Sequence, residues 1–108
     1  MDFFVTTSGW PANTTKATSA VDTVLTITPV SGCIGAMITV ESQSIRYSFG
    51  TAPTNDGSTG IGHIATAGTI ITLTSGNAVK KFKYLNKTGG SNAVLQITQF
   101  ANSAIDAP

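Results

Sequence analysis

Ser44-Ile45-Arg46-Tyr47-Ser48-Phe49-Gly50-Thr51-Ala52-Pro53-Thr54-Asn55-Asp56-Gly57 carries the clearest fold signal in the chain. Ile45, Tyr47 and Phe49 fall on one side of a pleat and Ser44, Arg46 and Ser48 on the other, the period-two alternation of a half-buried strand. The alternation stops at Gly50, and a fixed proline φ at Pro53 followed by Asn55-Asp56-Gly57 turns the chain. A strand that breaks into such a loop belongs at the edge or corner of a β-sandwich.

The same punctuation recurs on both sides. Val21–Thr28 reads as a strand stopped by Pro29 and Ser31-Gly32, and Cys33–Glu41 as a second strand with Gly35 as a bulge position. After the Gly50–Gly60 loop, Ile61–Ala65 forms a short edge strand and Thr69–Thr74 another strand. Val79–Leu85 alternates basic with aromatic residues, Asn86–Asn92 is a turn, and Ala93–Phe100 is the last strand. Strands at spacings of about 8–12 residues, with turn signals between them and no helical stretch, predict an all-β sandwich or barrel of about six to eight short strands.

Residues Met1–Ala20 have a different character. Phe3, Phe4, Val5 and Trp10-Pro11 stand among Thr, Ser, Asn and Ala without sustained periodicity. The segment is read as an N-terminal extended arm over residues 1–20, ahead of a sandwich domain over residues 21–108. The arm has two uses open to it: folding back as an extra strand, or docking on a neighbour by strand addition and burial of Phe3, Phe4 and Trp10.

Composition narrows the function classes. In a chain of 108 residues only 10% are charged, whereas Thr occurs 18 times and Ser 10 times. Thr suits strands and can show its hydroxyl to water, so a Thr-coated β surface replaces the usual charged one. A nearly neutral surface repels its copies weakly, which suits life inside an assembly. The net charge of +1 gives no reason to expect nucleic acid. Cys33 is the sole cysteine and cannot form an intramolecular disulfide, so it is read as a small buried hydrophobe. Met1–Thr6 has no basic n-region, and no apolar run reaches membrane-spanning length, so a cytoplasmic origin without membrane partners is expected.

The titratable inventory is poor. The carboxylates are Asp2, Asp22, Glu41, Asp56 and Asp106, and no spacing brings a general acid and base together. His63 is read as structural, because there is no G-x-S-x-G elbow and Cys33 has no basic neighbour to lower its pKa. One His and one Cys cannot close a tetrahedral zinc site. Thr54–Ser58 lacks the alternating acidic ligands of a calcium loop. No enzymatic activity and no cofactor are expected. Lys80, Lys81, Lys83 and Lys87 hold four of the six basic residues. Read as a strand, Lys81 and Lys83 point outward while Phe82 and Tyr84 point inward. This separates bases from aromatics and favours an acidic protein patch, or plain solvation, over single-stranded nucleic acid.

From about Pro29 to Phe100 the chain resembles a loose family of small tailed-bacteriophage virion proteins. The resemblance is carried by I-R-Y-S-F-G-T-A-P-T at Ile45–Thr54, G-I-G-H-I at Gly60–Ile64 and A-G-T-I-I-T-L at Ala67–Leu73. K-F-K-Y-L-N at Lys81–Asn86 and A-V-L-Q-I-T-Q-F at Ala93–Phe100 complete it. It implies an antiparallel, immunoglobulin-like sandwich serving as a head decoration (cement), neck or tail component of a virion assembled in the host cytoplasm. It carries over no catalytic residues. The implied partners are the major capsid protein or other virion structural proteins, with self-association in the assembly. The residues expected to contact them are Phe3, Phe4 and Trp10 as anchors and Lys80, Lys81 and Lys83 as an electrostatic contact. A related Y-T-D-G-…-P-T pattern marks immunoglobulin-like accessory domains of carbohydrate-active enzymes; here Phe49-Gly50 stands where the acidic D-G would. That keeps a glycan-binding module, with Trp10, Tyr47 or Tyr84 as a sugar platform, as the alternative from another class.

Overall fold

A computed structural model of the chain describes residues 10–18, 22–55 and 59–101. The strands are β1 (Trp10–Thr18), β2 (Leu25–Thr26), β3 (Cys33–Ser42), β4 (Ile45–Phe49), β5 (His63–Ala65), β6 (Ile70–Leu73), β7 (Phe82–Asn86) and β8 (Val94–Ala101), with one helix, α1 (Gly76–Lys81), between β6 and β7. The expected all-β class holds. Two four-stranded antiparallel sheets form, in the orders β1-β8-β3-β6 and β2-β7-β4-β5. First pairs with last, second with seventh, third with sixth and fourth with fifth, which is the double wrapping of a jelly roll. An immunoglobulin domain instead joins its strands as ABED and CFG. The strand order therefore differs from the one the resemblance implied: period-two patterning says which face of a strand is buried and says nothing about which strand lies beside it.

Alternation sets the core. Ala36, Ile38 and Val40 of β3, Ile71 and Leu73 of β6, and Leu95 and Ile97 of β8 face Ile45, Ala65, Phe82 and Tyr84 of the other sheet. The aromatic residues stack across neighbouring strands. Tyr47 lies 5.4 Å from Phe82 and 5.4 Å from His63, and Phe82 lies 5.8 Å from both Phe49 and Tyr84. Such contacts add to the area these rings bury. The inward placement of Phe82 and Tyr84 agrees with the sequence reading. Outward positions on the first sheet carry Thr14, Thr18, Thr39, Thr72 and Thr98, the threonine coat that the composition implied.

Of the two uses open to the arm, its described part takes the first: Trp10–Thr18 folds back as an edge strand beside β8, from Trp10↔Ala101 to Thr18↔Val94. Val79–Leu85, expected as one strand, divides into the end of α1 and most of β7. The helix starts because Ser75 caps it: the residue is extended (φ −151°) and its Oγ accepts from Ala78 N at 3.0 Å. Ala78 and Val79 then pack on the core, with Val79 fully buried. The alternation of Lys81-Phe82-Lys83-Tyr84 is genuine strand pattern from Phe82 onward, and it concealed the turn of helix before it.

Two glycines let β3 approach its neighbours. A Cβ at Gly35 would run into the Leu73 carbonyl of β6, and one at Gly76 would run into the Cys33 carbonyl. Gly35 also lies at a register shift between β3 and β8, as its reading as a bulge expected. We predict that Gly35→Ala costs about 1–3 kcal/mol, the range for overpacking a rigid site. The Gly50→Ala control meets no atom within 4 Å and bears only the strain of φ +85°. Urea titration of the two variants checks this; equal midpoints for Gly35→Ala and the unmodified chain would contradict it.

Candidate interaction surface

The motif that opened the sequence reading serves a structural purpose. Arg46 of β4 lies on the face of its sheet turned away from the core, between Leu85 and Ile64 in the register, yet it is only 6% exposed. Gly60 and Gly62, from the loop that joins β4 to β5, lie against it. Arg46 Nη1 donates to the Gly62 carbonyl at 3.0 Å, and Gly60 lies against the guanidinium so closely that a Cβ there would collide with it. Pro53 is fully buried beneath the loop, and Leu85 is 3% exposed. The loop is closed by Thr54 N donating to the Ile61 carbonyl at 3.0 Å and Ile61 N donating to Thr54 Oγ1 at 2.8 Å. The Ile45–Thr54 motif thus supplies β4 and the first part of the loop, and the Gly60–Ile64 motif supplies the part of the loop that returns over Arg46 and the start of β5.

The far end of the loop is tied at the opposite pole. Asn55 Nδ2 donates to Asp22 Oδ1 at 2.6 Å. Asn86, fully buried, donates from Nδ2 to the same oxygen at 3.2 Å and to the Thr88 carbonyl at 2.8 Å, and its Oδ1 accepts from Asp22 N at 2.8 Å. These bonds, Asn86 first and Asn55 next, hold the Asp22 carboxyl below the usual aspartate range, with a smaller contribution from the Gly90 backbone. Asp22, read as a strand residue beside no partner, is instead a turn residue at φ +58° that joins three segments.

The residues expected to contact a partner gather unevenly. Phe3 and Phe4 lie outside the described residues. Trp10 opens β1, and its backbone is paired with Ala101, which is in turn paired with Cys33. Cys33 touches Gly76 at the start of α1, and Gly50 N donates to the Lys81 carbonyl at the end of it (2.9 Å). The start of β1, the helix and the exposed Phe49 therefore share one pole of the sandwich. Lys80 and Lys81 sit in the last turn of α1 and are both exposed. Lys83 does not join them: it lies on β7, half-buried, between Ser48 and Thr26 on the outer face of its sheet. The three lysines are split between a helix end and a sheet face, because Lys81 is helical where a strand was expected.

The other candidates are placed as follows. Tyr84 is 2% exposed, and burial pushes its phenol pKa up, so it cannot serve as a sugar platform. Tyr47 faces the same interior, half-buried between His63 and Phe82. His63 is an exposed residue of the edge strand β5. Cys33 is half-buried against the core, and its Sγ lies 3.5 Å from the Gly35 carbonyl. Among the described residues no group of acidic, His and Cys side chains could hold a metal, no pocket opens, and no helix is long and apolar enough to cross a membrane.

Sequence reasoning missed the buried Arg46, the Asp22–Asn55–Asn86 tie and the role of Gln99. Gln99, 5% exposed, accepts from Val30 N at 2.8 Å and donates to the Thr28 carbonyl at 3.0 Å, pairing with the β2–β3 connection as a strand would. The one signal in the sequence was an amide at an inward position of the last strand. No family model, curated protein or solved structure matches this chain.

The depressed Asp22 carboxyl gives a pH prediction. A carboxyl whose pKa is lower folded than unfolded contributes stability that is complete above the unfolded value and is lost as pH falls through the folded one. Stability should start to fall below about pH 4, near the unfolded aspartate value. Asp22→Asn should remove part of that acid limb without moving stability between pH 6 and 8 as a function of pH. Thermal melts across pH 2–8 check it; an unaltered acid limb in Asp22→Asn would contradict the tie.

Proposed function

We propose that this chain is a non-enzymatic structural subunit of a virus particle, a capsid decoration or cement protein that binds the outer face of a phage head shell. The reading rests first on the resemblance carried by the Ile45–Phe100 motifs, and the geometry that supports it best is the single pole described above. The N-terminal segment bearing Phe3 and Phe4 attaches there through Trp10, beside the exposed Lys80 and Lys81 and the half-exposed Phe49. Aromatic anchors with a basic rim are the usual make-up of a binding patch, and a stable contact takes about 800 Å² from each partner. On one sheet Gly60 and Gly62 lie against the outer face of β4, and the outer face of the other carries threonines with Lys16 among them. This concentrates distinctive chemistry at the pole.

Jelly rolls build capsid proteins as well as lectins and cupins, so the fold is compatible with the proposal without selecting it. The immunoglobulin-like description is kept only as the parentage that the motifs suggest, since the strand order departs from it. A neck, tail or fibre-attachment subunit would use the same pole at lower copy number. The glycan-binding reading is weakened, because Tyr47 and Tyr84 face the interior.

The test is binding of the purified chain to shells that lack it. Removing residues 1–9, which stops before β1, should leave the fold intact and abolish binding. Lys80→Glu with Lys81→Glu should lower affinity about three- to tenfold and flatten its salt dependence, as charges at an interface rim do. Full binding by the truncated chain would contradict the anchor assignment.

A further inference from the structure

The four sheet edges of the sandwich are not alike. An edge strand offers unpaired backbone groups to any passing strand, and proteins blunt such edges with prolines, charges, bulges or brevity. Edge β1 carries Pro11, a register shift between Pro11 and Asn13, and Lys16. Edge β2 is two residues long, and edge β5 three. Edge β6 is bulged only at its entrance, where Gly68 and Thr69 stand opposite Val40. From there Ile70-Ile71-Thr72-Leu73 runs in regular register with no charge and no proline, and Ile70 is the most exposed large apolar residue described, at 57%.

The direction of its backbone groups follows from the pairing with β3. Val40 N donates to the Thr69 carbonyl at 2.9 Å, and the Val40 carbonyl accepts from Gly68 N at 2.7 Å. Antiparallel ladders alternate, so Val40, Ile38 and Ala36 turn their groups toward β6, and opposite them Ile71 and Leu73 turn theirs toward β3. Ile70 and Thr72 therefore present N–H and carbonyl outward, with side chains on the threonine face of the first sheet.

We propose that β6 is a self-pairing edge, joining the β6 of a second copy antiparallel about a two-fold axis. The partner is this chain itself because the segment is close to self-complementary. Set antiparallel against its own copy, it brings β-branched residues opposite one another, Ile70 beside Thr72 or Ile70, with no like charges to separate them. The outward groups of Ile70 and Thr72 would bond their counterparts, and the first sheet would continue across two copies as eight strands with one threonine face. A four-residue edge buries much less than the roughly 800 Å² per partner of a stable dimer. The contact is therefore weak in dilute solution and fills where copies are crowded, as on a particle surface. It deepens the assembly reading, but it belongs to the chain alone and can be tested without a virion.

The experiment is sedimentation velocity on the full chain from about 10 μM to about 1 mM, the range where a weak contact becomes visible. Wild type should show reversible dimer formation rising with concentration. Ile70→Lys and Ile70→Glu, at an exposed position that folding tolerates, should each lower the association constant about tenfold through like-charge repulsion. A one-to-one mixture of the two should recover it as a heterodimer. Thr72→Pro removes an outward N–H, costs no ladder bond to β3, and should also suppress the dimer. A monomer throughout the range, or self-association undiminished in Ile70→Lys, would overturn the proposal. Failure here would leave the shell-binding test untouched, and failure of shell binding would leave this one untouched.

Discussion

The structure depends on the last strand finding its place between the first and the third. Val94–Ala101 is bonded along one side to Trp10–Thr18 and along the other to Cys33–Ser42, so neither half of the first sheet is complete until nearly the whole chain is present. Leu95 and Ile97 of this strand fill the centre of the core, and Gln99 holds the crossing from β2 to β3 by its side-chain amide. Pairings this distant in sequence carry a large loop-closure cost before they return any contact energy, and they make folding slow. They also bring Trp10 and Ala101 side by side at one pole.

Given that frame, the second sheet solves a different problem. Its outer face would leave Leu85 and the stem of Arg46 open to water. Loop residues cover Arg46, and Gly60 and Gly62 allow that close approach to the strand. Asn55 ties the loop to Asp22, whose carboxylate also accepts from Asn86. The first sheet has no such cover among the described residues, and threonine takes its place. One face is closed by chain and the other dressed in hydroxyls, with charge confined to a few positions. Of the carboxylates among the described residues, Asp22 is used as a tie between segments.

Much of this was legible. The alternation at Ile45–Phe49 placed its apolar residues on the core face, the inward set of Phe82 and Tyr84 was read correctly, and the loop from Gly50 was located by its Pro, Asn and Gly. Three things were not. Strand neighbours are invisible to period-two reasoning, so the jelly-roll order could not be told from an immunoglobulin one. The short α1 was hidden because a Ser cap and one buried turn produce no helical period, and the strand pattern beginning at Phe82 absorbed its last residues. Arg46 was placed on the correct face, but its burial comes from a loop returning across it, which no local pattern encodes. The pole proposed for binding was legible only as separate parts, an aromatic arm and a run of lysines, and the helix decides which lysines stand together.

In the role proposed for it, this chain would be a stoichiometric part of a phage head. The most direct measurement is quantitative mass spectrometry of purified particles, comparing this chain with the major shell protein. The account predicts a copy number of the same order as that of the shell protein, with the chain retained on tail-less heads. Absence of the chain from purified particles would contradict it.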